Sequence, residues 1–138
     1  MTERKYLPTF SELVDRLSIV ILKSVFINQH SDKYAAEREA IEHDINLFLT
    51  EKPPLSAQAI SAVLIIMLTN RFIWENESKA RAGSDEQNHL LRLTHSVNGV
   101  RNTAKNVLSS ELGERLDYKI DALAAELPPE YGHWSLWK

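Results

Sequence analysis

Cysteine is absent from the 138-residue chain, which excludes disulfides, thiolate catalysis and Cys-based zinc sites. That absence does not establish a compartment. Glycine occurs only 4 times and proline 5 times, a balance that favours helices over sheet-rich folds. No Gly-rich phosphate loop, strand-like alternation of useful length or internal repeat can be read. Long apolar runs are missing too: the longest spans only Ala62 to Leu68, and a bilayer crossing needs about 20 residues. The N-terminal MTERKYLPTF lacks the basic-then-apolar order of a signal peptide. A cytoplasmic protein with no membrane partner is therefore expected.

Acid is missing from one place in particular. The chain has 19 Asp and Glu against 16 Lys and Arg, a net charge of −3. Yet no acid falls between Gln87 and Ser110, where Arg92, Arg101 and Lys105 stand. The acidic total argues against nucleic-acid binding through a broad basic surface, whereas a local basic zone suits a small anion.

What is present reads as one all-α domain, residues 1–138, long enough for a sizeable core. Five helices are expected, followed by an aromatic C-terminal tail. The first follows Thr9, which forms a capping-box pattern with Glu12, and runs to about Ile27. The second starts near Ser31 and carries Tyr34, Ile41, Ile45 and Phe48 at helical spacing until Pro53-Pro54. The third runs from after Ser56 to about Arg81, with Gly83 as its stop. Ser84 and Gln87 offer a second capping box for a fourth helix reaching about Leu108. The fifth spans about Glu111 to Leu127, before Pro128-Pro129.

The third helix is apolar on nearly every side through AISAVLIIMLTN, which predicts burial all round, in a bundle centre or at a subunit interface. Helix one is similarly broad, from Leu13 to Phe26, so a homodimer or higher homo-oligomer is expected. The tail EYGHWSLWK, with Tyr131, Trp134 and Trp137, is expected to pack on the bundle or on a neighbouring subunit. A lid over a ligand site is its alternative role.

Turning the fourth helix by 100° per residue places Leu90, Leu93, Val97, Val100, Ala104, Val107 and Leu108 on one arc. Thr94, Asn98, Arg101, Asn102 and Lys105 share the adjoining arc. An arginine fork beside amides suits a carboxylate or phosphate, with the amides reading hydroxyls or base edges. A second polar face lies on the third helix, where Asn70, Trp74, Glu77 and Arg81 recur at i, i+4, i+7 and i+11. An indole between such groups can stack on a base or sugar. Helix one adds Asp15, Arg16 and Lys23, with Asp15 placed to orient Arg101 or Arg81. The competing account is a polar network that fixes packing, or a solvated face.

Together ELVDRLSIVILK, WxxExKAR (Trp74, Glu77, Lys79, Ala80, Arg81) and NxxRN (Asn98, Arg101, Asn102) resemble a family of small all-helical proteins of unknown function. Its members occur in bacteria, some near sugar-transfer genes, and in phages. The resemblance covers Phe10 to about Asn106 and implies that the three polar patches form one site. Asn76 and Ser78 stand where more acid would be expected after the tryptophan, which weighs against a metal.

The favoured expectation is a binding protein for an anionic small molecule: a nucleotide, cyclic nucleotide or nucleotide sugar. It requires neither cofactor nor metal. In a phage setting, such a protein would sequester a host nucleotide signal. One alternative is a magnesium-dependent all-α nucleotide pyrophosphohydrolase using Glu39-x-x-Glu42 and Glu114-x-x-Asp117. A Glu39/His43 metal pair lacks a third ligand, and no nucleophile elbow is present. The other alternative is a structural or regulatory interaction module.

Overall fold

The computed structural model describes residues 7–52, 54–81 and 87–115, with backbone alone for 80–81 and 87–91. The described residues form four helices: α1 (Phe10–Phe26), α2 (Ser31–Glu51), α3 (Ala57–Arg81) and α4 (Gln87–Glu111). The stop at Gly83, the cap at Ser84 and the aromatic tail lie outside the described residues.

Local chemistry accounts for the boundaries. At the start of α1 the Thr9 hydroxyl accepts from the Glu12 N–H at 3.2 Å, and the Glu12 carboxylate accepts from the Thr9 N–H at 3.1 Å. The expected capping box is therefore formed, satisfying two donors that a helix start would leave exposed. Glu114 adds a third element, its carboxylate oxygens accepting from the Phe10 N–H at 3.0 and 2.9 Å. Ser56 caps α3, its hydroxyl accepting from the Ala59 N–H at 3.0 Å. His30, before α2, takes the left-handed conformation at φ 61° without a side-chain cap.

The end of α4 corrects one expectation. The helix continues through Glu111, so that residue closes α4 rather than opening a fifth helix. Gly113 then adopts φ 68°, with the Glu114 N–H donating to Ser109 O (2.8 Å) and the Gly113 N–H to Ser110 O (3.2 Å). This pair of bonds is a Schellman closure, and glycine enters its left-handed position without a Cβ penalty. The remainder of the expected fifth helix lies outside the described residues.

α3 and α4 share the most extensive contact. The Ser56 hydroxyl at the start of α3 donates to Glu111 at the end of α4 (3.0 Å), so the two run antiparallel. α1 lies along their seam, its Ser11 hydroxyl bonded to that of Ser109 at 2.7 Å. α2 packs on the outer side of α1. One apolar cluster joins Phe10 and Val14 of α1 to Ala59, Ala62 and Ile66 of α3 and Ala104 and Leu108 of α4. A second joins Leu13 and Val20 to Ile41 of α2, with Ile45 and Phe48 touching both. Along α4, Leu93, Val97, Val100, Ala104 and Leu108 are buried as its periodicity predicts.

Among the described residues of one chain, α3 is not buried all round. Ile60, Leu64 and Leu68, spaced by four, form an outward stripe in which Leu64 is 64 % exposed. The reason is geometric: among the described residues, α4 covers one side and α1 another, while α2 packs on α1 and not on α3. By length and composition, with mean hydropathy 1.4, Ala57–Lys79 is apolar enough to cross a membrane. The inner side of that same segment carries buried Thr69, Asn70 and Asn76.

Candidate ligand-binding site

Asn70 is the hub of the polar interior. It is 4 % exposed and sits where α1, α3 and α4 meet. Its amide nitrogen donates to the Asp15 carboxylate and to the Ser18 hydroxyl, both at 2.6 Å. Its amide oxygen accepts from Arg101 Nη1 at 2.9 Å. The opposite amide orientation would turn oxygen toward a carboxylate and N–H groups toward a guanidinium, so the two neighbours fix it. Ser18 completes the arrangement by donating to the Asp15 backbone carbonyl at 2.6 Å.

Asp15 therefore reaches Arg101 through Asn70 rather than by a direct ion pair. Its ionic partner is Lys105, at 3.6 Å, each side chain being 16 % exposed. Asp15 is thus used on both oxygens, by an amide and an ammonium. Arg101 is left with a neutral partner, and its Nε is buried without a hydrogen bond. A half-buried guanidinium without a carboxylate partner among the described residues is better satisfied when an anion meets it.

Two cavities flank α1, with Ile19 and Lys23 on both. The one toward α3, about 590 Å³, has an apolar wall of Ile19, Leu22, Ile27 and Ile73, with Phe26 and Trp74. Its polar groups are Lys23, Asn70, Glu77, Ser78 and Arg101. The Phe26 and Trp74 rings meet edge-on, their centroids 6.3 Å apart at 64°. Arg71 lies 4.0 Å over the Phe26 ring and is held by Glu75 at 2.7 Å, so the aromatic wall is pinned from outside. The other cavity, toward α2, is about 670 Å³ and is lined by charges of both signs, including Asp15, Arg16, Lys105, Glu37 and Asp44.

Of the residues expected from sequence, Lys23, Asn70, Trp74, Glu77 and Arg101 share the α3-side cavity, while Asp15, Arg16 and Lys105 face the α2 side. Asn98 and Asn102 line neither; the buried amide oxygen of Asn98 has no partner, and Asn102 is engaged elsewhere. The Arg81 side chain lies outside the description. Sequence reasoning passed over Ser18, although it stands one turn from Asp15 on the same helix face. It also left out Phe26 as a wall residue, for which only the meeting with Trp74 supplies the signal. Buried Asn76, with its amide nitrogen unpartnered, went unassigned as well.

Two carboxylates of the hydrolase alternative, Glu42 and Glu114, are engaged separately. Glu42 pairs with Arg38 at 3.2 Å on the exposed side of α2, and Glu114 caps α1. Asp117 lies outside the described residues. Among the described residues no group of three His, Asp or Glu could hold a metal ion. The exposed His43 ring contacts Asp44 at 3.1 Å. No family model, curated protein or solved structure matches the chain.

Proposed function

We propose that the cavity between α1 and α3 binds an anionic small molecule bearing a planar ring, of the nucleotide, cyclic nucleotide or nucleotide-sugar class. The observation that carries this reading is Arg101: a cation lining an open cavity, hydrogen-bonded to an amide, with no carboxylate pairing it among the described residues. Trp74 with Phe26 supplies a stacking wall, while Lys23, which lines both cavities, holds its ammonium 6.0 Å from the Tyr34 ring of α2. In the phage setting that the motif resemblance suggests, such a site would withdraw a nucleotide signal from its host.

A thermal-shift series with nucleotides and sugar nucleotides, with and without magnesium, tests the reading. A ligand at 100 times its Kd adds about 2.7 kcal/mol of stability, roughly 5–10 °C for a domain of this size. The stabilisation is expected without magnesium and is lost in Arg101→Ala. Product formation that requires magnesium would favour the hydrolase instead.

The Asp15–Asn70–Arg101 chain of bonds is the observation favouring a structural role. If no anion moves the melting temperature and Arg101→Ala merely destabilises the fold, that role stands. Self-association, the other part of the reading, would use the outward stripe of Ile60, Leu64 and Leu68, which is apolar and without charge.

A further inference from the structure

The α3-side cavity is lined by charge of both signs: Arg101, bonded to Asn70, and Glu77, two turns farther along α3 than Asn70. Seven residues of helix separate Asn70 from Glu77, a rise of about 10 Å. Trp74 stands between them, a little over one turn from Asn70, with the Phe26 ring against it. Neither Lys23, Arg101 nor Glu77 forms an ion pair with another described residue, whereas the neighbouring Glu75 is taken by Arg71 at 2.7 Å. A ligand filling this space would need an anion at one end, a flat ring in the middle and hydrogen-bond donors at the far edge.

Resting on the binding reading above, we infer that the ligand is a guanine nucleotide, with its phosphate toward Arg101 and its base edge toward Glu77. The selectivity follows from the inventory of donors and acceptors. A carboxylate is acceptor-only and takes two parallel N–H groups best. Guanine presents two adjacent donors, the ring N1–H and the exocyclic N2 amine. Adenine places an acceptor nitrogen beside its amine, and cytosine does the same, so each sets a lone pair against a carboxylate oxygen. Hypoxanthine keeps N1–H but lacks the second donor. An extended nucleoside monophosphate also spans the separation between the two charged groups, with its base at the level of the indole.

The test is calorimetric titration of the full chain with GMP, IMP, AMP and inorganic phosphate, in wild type and in Glu77→Gln. Glu77 is exposed, so its substitution leaves the fold intact, which the unliganded melting temperature verifies. GMP is expected to bind at least tenfold more tightly than IMP and AMP. In Glu77→Gln the GMP advantage falls and AMP gains, because a glutamine amide offers one acceptor and one donor to match adenine. Equal binding of GMP and AMP, unaltered by Glu77→Gln but lost in Arg101→Ala, would overturn the guanine assignment and leave the anion site standing. Failure of every nucleotide and of phosphate to bind would overturn both.

Discussion

At the scale of single residues, Asn70 and Arg101 hold most of the consequence. Asn70 supplies both a donor and an acceptor, and each meets a charged neighbour of the appropriate sign. Asn70→Ala removes one hydrogen bond from Asp15, which keeps Lys105, and the hydrogen bond of Arg101. A destabilisation of about 1–3 kcal/mol for each group left buried and unsatisfied is expected, read as a lower denaturant midpoint in equilibrium unfolding. Asn70→Asp is expected to be worse than Asn70→Leu, since it sets a second carboxylate 2.6 Å from Asp15 whereas leucine only removes the bonds. Equal midpoints for those two variants would show that the Asp15 contact carries no electrostatic weight.

The polar stripe on α4 was legible from sequence because its residues share an arc, and Asn98, Arg101, Asn102 and Lys105 do follow one side of the helix. Their individual uses were not legible. Arg101 meets Asn70 and lines a cavity, while Lys105, one turn later, meets Asp15 on the other side of α1. One turn along α4 shifts a side chain by about 6 Å, enough for successive members of the stripe to meet different neighbours.

At the scale of elements, helix ends decide the boundaries, and two substitutions probe them. Thr9→Ala removes the hydroxyl half of the capping box at α1 and is expected to cost about 0.5–2 kcal/mol in a urea unfolding experiment. Gly113→Ala tests the turn that ends α4. An added Cβ there meets nothing within 4 Å, so the cost is conformational alone, about 1–2 kcal/mol for an L-residue held at φ 68°. No change in the midpoint would mean that the turn relaxes without the left-handed residue. α1 announces its start in sequence because Thr9 and Glu12 lie three residues apart. The end of α4 was misjudged because the Ser110–Glu111 pair resembles a new start, while Gly113, two residues on, carries the actual stop.

At the scale of the whole molecule, the four described helices leave an apolar stripe of α3 facing outward. Core packing is concentrated where α1, α3 and α4 meet, and Leu108 is fully buried there. Leu108→Ala is expected to cost about 2–5 kcal/mol, the upper part of the range if the three helices cannot close on the gap. Self-association belongs to this scale as well. If the Ile60–Leu64–Leu68 stripe joins two copies, sedimentation equilibrium will give a dimer for the wild type and a monomer for Leu64→Glu. A monomeric wild type would remove that partner from the account.

The sequence by itself determined the all-helical class, the positions where α1, α2 and α3 begin, the buried arc of α4 and the coherence of its polar stripe. All of these depend on groups within about one turn of each other: a cap and its N3 partner, or a 3.6-residue period. Only the tertiary structure decided that Asn70 stands between Asp15 and Arg101, that Lys105 takes the acid, and that Phe26 from the end of α1 faces Trp74. It also decided that the apolar surplus of α3 faces outward. Those outcomes depend on which helix lies beside which and at what offset, a choice made by the packing of whole faces and not recorded in any short stretch of chain.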